Sequence, residues 1–166
     1  MNIRSTENGF AIFSPCETYR YVLGRTFETG RATVAFIGLN PSTATEAKDD
    51  PTMRRCIAFS QRWGYRHLIM LNLFAYRATD PHDLDITHNS VIGEDNDLWL
   101  RAIPPRVNLI IAAWGAGGKR FHRGAYVRRL LKAAGTELKC FDVTNGGHPK
   151  HPLYVHGDTE PRPYGG

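Results

Sequence analysis

The sequence contains few cysteines and no long hydrophobic run, and these two deficits exclude several classes of protein. Its 166 residues include three cysteines, an odd number at separated positions: Cys16, Cys56 and Cys140. Such a set does not build a disulfide framework, and it cannot supply four thiolates to an iron–sulfur cluster. No stretch approaches the roughly 18 apolar residues of a membrane-spanning helix, and the first residues lack the apolar core of a signal peptide. We therefore expect a cytoplasmic protein that does not act at a membrane.

The charge of the chain favours an anionic partner. Its 21 Lys and Arg residues outnumber its 16 Asp and Glu residues, and the net charge is +5. Such a surplus is ordinary for a soluble basic protein, but Lys and Arg also neutralise phosphates and release the counterions around nucleic acid. The charges are also uneven, with basic clusters at 54–55, 119–123 and 128–132 and an acidic stretch at 80–97. This asymmetry favours a nucleic acid or a nucleotide as partner.

Four apolar runs predict a buried parallel sheet. The clearest, residues 34–38, is followed at once by Leu39-Asn40-Pro41-Ser42, and the others occupy 67–74, 107–115 and 138–143. Runs without polar alternation are typical of strands covered on both faces. Capping residues, prolines and apolar spacing predict helices between them, over 50–64, 89–104 and 115–135. We therefore predict an α/β fold with three layers, α/β/α, around a mostly parallel four-stranded sheet.

The two ends of the chain differ from this central pattern. Residues 9–28 have the composition of an N-terminal β-hairpin. Arg20 and Arg25 flank its second arm, and we expect them to be solvated charges at a sheet edge. Residues 156–166 are rich in Gly and Pro and are expected to form a flexible tail. The whole chain, residues 1–166, is expected to be a single domain.

Two asparagines are placed near the ends of predicted strands. Pro41 cannot continue a strand, so Asn40 should lie at a C-terminal tip, where open α/β sheets bind ligands; alternatively it caps the following turn. Asn72 lies inside the apolar run 67–74, and a buried amide needs a partner. That partner is either a neighbouring loop or a ligand, and both interpretations stay open. Because an amide both donates and accepts, Asn72 is suited to the edge of a nucleobase.

Candidate phosphate-binding residues lie at two helix starts. Arg54 and Arg55 are expected in the first turn of a helix, where cations oppose the helix dipole, and such local conflicts are common at functional sites. The Gly-rich turn 115–118, followed by Lys119, has the form of a strand-to-helix turn that cradles phosphate. It lacks the Gly-Lys-Ser/Thr ending of a P-loop.

The last motif, residues 146–154, contains His148 and His151 among prolines. Two histidines are too few for a zinc site and no further ligands stand out, so we expect no metal and no redox cofactor. We favour the interpretation that a loop histidine donates a hydrogen bond or a proton.

Four motifs in this order resemble a known family. They are Gly38-Leu39-Asn40-Pro41-Ser42, Met70-Leu71-Asn72-Leu73-Phe74, Ile111-Ala112-Ala113-Trp114-Gly115 and Gly147-His148-Pro149-Lys150-His151-Pro152-Leu153. On these motifs the chain, from Phe10 to Tyr154, is identified as a member of a bacterial and phage family, domain-of-unknown-function family 1643. That family name implies no function.

The same motifs are more distantly similar to those of the uracil-DNA glycosylase superfamily. The resemblance implies that Asn40 positions a water, that the amide of Asn72 reads the base edge and that His148 stabilises the departing base. It also implies a substrate pocket, whose other residues would be Gly38, Leu39, Pro41, Ser42, Phe74, Trp114, Gly115, Lys150 and His151. The fold implied is glycosylase-like, and the partner implied is DNA rather than RNA, or a nucleotide.

We therefore expect a hydrolase that cleaves an N-glycosidic bond in DNA repair or modification. Asn40, Asn72 and His148 should then converge on one pocket at the C-terminal edge of the sheet. Two alternatives stay open: a non-catalytic nucleic-acid or nucleotide-binding module on the same fold, and an enzyme that acts on free modified nucleotides.

Overall fold

The computed structural model describes residues 1–86 and 88–165, and within them it shows an α/β fold built on one mixed sheet. The strands of that sheet are β1 (Asn2–Ser5), β2 (Gly9–Phe13), β3 (Arg20–Thr26), β4 (Arg31–Gly38), β5 (Tyr65–Asn72), β6 (Leu109–Ala112), β7 (Lys139–Cys140) and β8 (Arg162–Pro163). The α-helices are α1 (Pro51–Arg62), α2 (His88–Ile92), α3 (Asn96–Ala102) and α4 (Arg123–Ala133), and short 3-10 segments lie at Pro81–Leu84, Pro104–Arg106, Ala116–His122 and Pro152–Tyr154. None of the helices in the described ranges has the length and apolar character needed to cross a membrane.

The sheet is larger than the sequence predicts. Its order is β1-β2-β3-β5-β4-β6-β7-β8, and the four strands from the apolar runs, β5, β4, β6 and β7, pair in parallel. The expected four-stranded sheet is nevertheless wrong, because β3 of the hairpin pairs antiparallel with β5, and β1, β2 and β8 extend the sheet further. Pairing with β3 satisfies backbone N–H and C=O groups that would otherwise form an open edge of β5. An apolar run does not reveal which neighbour covers its edge.

Alternate residues of the central strands pack on opposite faces of the sheet. Val34 and Phe36 of β4 join a core cluster with buried side chains of α1. Ile37 of the same strand joins a second cluster with side chains of α2, α3 and α4. Each face of a strand therefore buries apolar area against helices, which explains why the run has no polar alternation. The C-terminal ends of β4, β5 and β6 lie side by side between these layers.

The helices confirm some expected boundaries and correct others. Asp50 caps α1, since its Oδ1 accepts a hydrogen bond from Met53 N at 2.8 Å. The single helix expected over 89–104 is instead two helices, α2 and α3, separated at Gly93, which has a φ of +87°. The helix expected from residue 115 begins as the 3-10 segment, and α4 starts only at Arg123.

Arg20 is buried and Arg25 is half-buried and paired with a carboxylate, so the prediction that they are solvated edge charges is wrong. Arg20 is 3% exposed. Arg25 donates from Nε and Nη2 to Asp49 Oδ1 at 3.0 and 2.7 Å. The reason is that β3 lies inside the sheet, between β2 and β5, rather than at its edge.

The segment expected to be a flexible tail packs against the domain. β8 pairs with β7, and the Tyr164 ring lies edge-on to Trp114 with centroids 6.0 Å apart. Glu160 forms an ion pair with Arg62 at 2.8 Å. Gly166 lies outside the described residues.

The end of β5 is held by side chains from two helices. Asn96 of α3 is 1% exposed, and its Nδ2 donates to the carbonyls of Asn72 and Leu73, both at 3.0 Å. Arg123 of α4 donates from Nε to the same Leu73 carbonyl at 2.9 Å and forms an ion pair with Asp97. Buried carbonyls beyond the end of a ladder need such partners. The position of Asn72 is therefore set by α3 and α4.

We expect Asn96→Ala to lower the free energy of unfolding by about 1–3 kcal/mol, because two buried carbonyls lose a shared donor. The measurement is urea denaturation followed by circular dichroism. Asn145→Ala, an exposed asparagine, is the matched control and should change stability by less than about 0.5 kcal/mol. Equal stability of the two variants would contradict the anchoring role of Asn96.

Candidate functional site

A pocket of about 510 Å³ opens at the C-terminal ends of β4, β5 and β6, on the side of the sheet that α1 covers. Its wall combines strand ends, the start of α1, the segment after β6 and the loop before β8. The residues that line it are Arg20, Leu23, Gly38, Leu39, Asn40, Ser42, Ala44, Asp50, Thr52, Met53, Met70, Asn72, Ala78, Thr79, Pro81, Trp114, Gly115, Ala116, Gly117, Arg120, His151, Leu153 and Tyr154. A volume of this size suits a small molecule or one unit of a polymer.

The amide nitrogen of Asn72 is buried at this pocket and has no hydrogen-bond partner among the described residues. Asn72 is 2% exposed, and its Nδ2 makes no hydrogen bond with the described residues. Its Oδ1 lies beside Gly38, where an added Cβ would come within 3.0 Å of that oxygen. A buried unpaired donor costs about 1–3 kcal/mol. The interpretation that Asn72 serves a structural hydrogen bond through its side chain therefore has no support in the described residues, whereas a ligand acceptor would satisfy it.

The amide of Asn40 binds the loop that contains Ala78 through Nδ2, while its Oδ1 accepts no hydrogen bond from the described residues. Its Nδ2 donates to the carbonyls of Pro41 at 3.0 Å and Ala78 at 2.8 Å. Because both partners are carbonyls, the NH₂ must face them and the amide orientation is fixed. The Oδ1 accepts no hydrogen bond from the described residues and is left as an acceptor at the pocket wall.

His151 lines the pocket as a neutral hydrogen-bond donor. Its Nδ1 accepts a hydrogen bond from the backbone N–H of Leu153 at 3.2 Å. That bond places the proton of the neutral ring on Nε2. Burial lowers the pKa of His151, and the charge of Asp50 opposes this effect without cancelling it. The ring is therefore neutral at pH 7 and presents Nε2–H.

His148 does not reach the pocket, so the expected convergence of three residues holds only for Asn40 and Asn72. The backbone N–H of His148 donates to Thr144 Oγ1 at 3.2 Å, and its carbonyl accepts from Thr144 N at 2.8 Å, which closes a turn. Lys150, two residues on, forms an ion pair with Asp142 at 3.0 Å and is also outside the pocket wall. Successive side chains of an extended segment face opposite sides, so His151 faces the pocket where Lys150 does not.

The three residues predicted to bind phosphate lie outside the pocket wall. Arg54 donates to the Asp49 carbonyl at 3.0 Å, and Lys119 is exposed. Arg55 donates to the Pro152 carbonyl at 3.1 Å and to the Val155 carbonyl. These bonds tie α1 to the loop that contains His151, so Arg55 positions that loop. An arginine in the first turn of a helix need not bind phosphate, because its long side chain can reach carbonyls beyond its own helix.

The other predicted pocket residues divide into two groups. Gly38, Leu39, Ser42, Trp114 and Gly115 line the pocket, whereas Pro41 and Phe74 do not. Phe74 belongs to the core cluster on the other face of the sheet. Within the described ranges no three His, Cys, Asp or Glu side chains are grouped in a way that would hold a metal ion.

Sequence reasoning missed two charged groups of the pocket, Arg20 and Arg120, and treated Asp50 only as a helix cap. Arg120 donates to Asp85 at 2.8 Å. Arg20 donates from Nη1 to the Ala44 carbonyl at 2.8 Å, and burial lowers its pKa to about 10. The sequence contains one indication that Arg20 is buried. Its neighbours Tyr19, Tyr21 and Val22 show no polar alternation, a pattern that is typical of burial on both faces.

We expect His151 to titrate below its ordinary pKa of 6.5. A pKa that is lowered by folding means that the unfolded chain binds the proton more readily. The stabilisation from His151 is then fully present above pH 6.5 and is lost as the pH falls through the lower folded value. The measurement is a ring-proton titration by NMR, assigned with a His151→Gln variant. A midpoint at or above 6.5 would contradict the neutral-donor assignment.

One family of known proteins matches the chain. The family described as "Protein of unknown function (DUF1643)" matches residues 20–153, which is more than half of the sequence. The comparison with curated proteins gives no match, and neither does the comparison with solved structures. The matched range includes every strand that contributes an end to the pocket.

Proposed function

We propose that this chain, which belongs to the DUF1643 family, binds the base of a nucleotide or of DNA and hydrolyses its N-glycosidic bond. The observation that supports this most is the buried amide of Asn72, whose Nδ2 is unpaired in a pocket at the ends of parallel strands. We further propose that the fold is related to that of the uracil-DNA glycosylase superfamily, with a larger sheet. The order of the Asn40, Asn72 and Trp114 motifs supports this relation.

Asn72 supplies the base-recognition element of the proposal. Its Oδ1 and Nδ2 form an adjacent acceptor and donor, which complement a ring N–H next to a carbonyl. Gly38 leaves room for this amide, because a Cβ at that position would lie 3.0 Å from the Asn72 oxygen and would displace it slightly. Met53 and Met70, which belong to the core cluster on the α1 side, form apolar parts of the same wall, against which a planar ring can pack.

Asn40 and His151 supply the two catalytic elements. The free Oδ1 of Asn40 accepts a hydrogen bond from a water and orients it, but a neutral amide cannot take the proton. The C1′–N bond therefore breaks first, its electron pair goes to the base nitrogen, and an oxocarbenium-like sugar forms. The water oxygen then bonds to C1′ and releases its proton to solvent. The Nε2–H of His151 stabilises the negative charge on the departing base.

His151 replaces His148 in this mechanism. The two residues are three apart in one motif, but only His151 lines the pocket and has a fixed donor tautomer. His148 instead closes a turn with Thr144 through its backbone.

A non-catalytic binding module is the second candidate. The observation that favours it is the neutrality of both Asn40 and His151, since a module that only recognises a base needs donors and acceptors but no general base. Base release therefore decides between the two candidates.

We expect Asn40→Ala and His151→Ala each to slow base release by roughly 10²-fold, because each removes an interaction made mainly in the transition state. Asn72→Ala should instead weaken substrate affinity and broaden base choice. His148→Ala is the matched control and should release base at the wild-type rate. The assay is single-turnover base release, detected by mass spectrometry, on substrates found by screening modified DNA and free nucleotides.

Two results would overturn this assignment. Full activity of Asn40→Ala would remove the water-positioning role. Loss of activity in His148→Ala, with His151→Ala unaffected, would restore the histidine that the sequence resemblance favours. If no substrate releases a base, and Asn40→Ala and His151→Ala bind as the wild type does, the chain is a non-catalytic module.

A further inference from the structure

We propose that Arg20 forms an oxyanion subsite within this pocket, and that the substrate is a free nucleotide, or a nucleoside whose base has a carboxylate, with its phosphate or carboxylate group reaching this subsite. The inference rests on the proposed function in placing a base in the same pocket. It adds the chemical class of the substrate and a binding residue outside the four motifs.

The guanidinium of Arg20 has an unused edge. Nη1 donates to the Ala44 carbonyl at 2.8 Å, whereas Nε is buried and has no hydrogen-bond partner among the described residues. Nε–H and one N–H of Nη2 point in the same direction, and this pair makes the two parallel bonds of arginine to a carboxylate or phosphate. The edge that recognises oxyanions is therefore the edge that the described residues leave without a hydrogen-bond partner.

The charge of Arg20 has no counter-ion in contact among the described residues. Arg20 is 3% exposed and appears in no ion pair with a described carboxylate, although Arg25 beside it is paired with Asp49. Asp50 acts on Arg20 at longer range, while Arg25 and Arg77 add positive charge. A buried charge without a partner is strongly disfavoured. An anionic group on a ligand would supply the missing partner.

The remainder of the pocket agrees with a ligand rich in acceptors. The unpaired Nδ2 of Asn72, the Nε2–H of His151 and the guanidinium of Arg120 all belong to the same wall. Asp50 is the carboxylate among the lining residues, and its Oδ1 already accepts from Met53 N. These donors would match the acceptor atoms of an anionic ligand.

The depth of Arg20 argues for a small ligand. Its side chain is almost fully buried within a pocket of about 510 Å³. A phosphate in the backbone of a polymer stays on the surface when a base enters a pocket, so it would not reach this guanidinium. A free nucleotide, or a nucleoside whose base has a carboxylate, brings its anionic group into the pocket with the ring.

The first experiment tests the subsite without any base. Thermal unfolding of the full chain is measured in sodium phosphate, in sodium formate and in sodium chloride at matched ionic strength. Either oxyanion should raise the melting temperature of the wild type above its value in chloride, and Arg20→Gln should abolish that difference. Arg54→Gln, an arginine outside the pocket, should retain it. If Arg20→Gln does not fold, Arg20→Lys takes its place in this test. It preserves the charge but not the paired donors, so it should lose most of the difference in melting temperature.

The second experiment identifies the source of the oxyanion. Affinities of uracil, 6-carboxyuracil, uridine and uridine 5′-monophosphate are measured by calorimetry. An anionic compound should bind at least about tenfold tighter than its neutral counterpart, and Arg20→Gln should remove this preference. Preference for the carboxylated base assigns the carboxylate, and preference for the monophosphate assigns the phosphate.

The proposal is overturned if oxyanions stabilise Arg20→Gln as much as the wild type, or if they stabilise the wild type no more than chloride does. It is also overturned if neutral and anionic compounds bind equally. Neither result affects base release from DNA, which the Asn40 and His151 variants judge separately. Failure of this subsite and failure of the proposed hydrolysis are therefore distinguishable.

Discussion

The requirement that buried carbonyls find donors at the end of β5 determines much of the structure around the pocket. The carbonyls of Asn72 and Leu73 lie where the strand ladder stops, and Asn96 and Arg123 supply their hydrogen bonds. Arg123 is in turn held by Asp97, the neighbour of Asn96 on α3. The backbone of Asn72 is therefore fixed from the α3–α4 side of the sheet, and its side chain is presented to the other side.

The two sides of the sheet differ in how well their buried polar groups are satisfied. On the α3–α4 side, Asn96 and Arg123 are buried and their donors find carbonyl or carboxylate acceptors. On the pocket side, Asn72 Nδ2 and Arg20 Nε are buried and unpaired within the described residues. Natural structures leave few such groups without partners, and each costs about 1–3 kcal/mol. Glu46 Oε2 and Trp63 Nε1 are also buried and unpaired among the described residues, but they lie outside the pocket wall. A ligand of the proposed kind would satisfy the two atoms that share the cavity.

The sequence predicted the elements of the fold more accurately than their assembly. Continuous apolar runs are determined by burial on both faces, so the positions of β4, β5 and β6 were readable. The place of β3 beside β5 depends on contacts between distant segments, which local patterns do not encode. The same limit explains the error on Arg20, since a hairpin strand was assumed to lie at an edge.

The candidate site was predictable where it depends on strand ends and not where it depends on register. Asn40 and Asn72 were identified because prolines and apolar runs determine where strands stop. The choice between His148 and His151 depends on which side of an extended segment each faces. That is set by the bridge between Val143 and Pro149 and by the hydrogen bond from Gly115 N to the Pro149 carbonyl. No property of either histidine in the sequence distinguishes the two.

The charges of the pocket at neutral pH follow from burial acting on two bases with different ordinary pKa values. Burial lowers the pKa of His151 from 6.5, so this residue is neutral, while the lowered pKa of Arg20, about 10, still leaves it charged. Burial therefore separates the two roles: a neutral donor at His151 and a permanent cation at Arg20. Under the proposed function, a group that develops negative charge in the pocket would gain from both without a proton being taken from the protein. This division explains how a pocket built mainly from amides, backbone and apolar side chains can stabilise an anion.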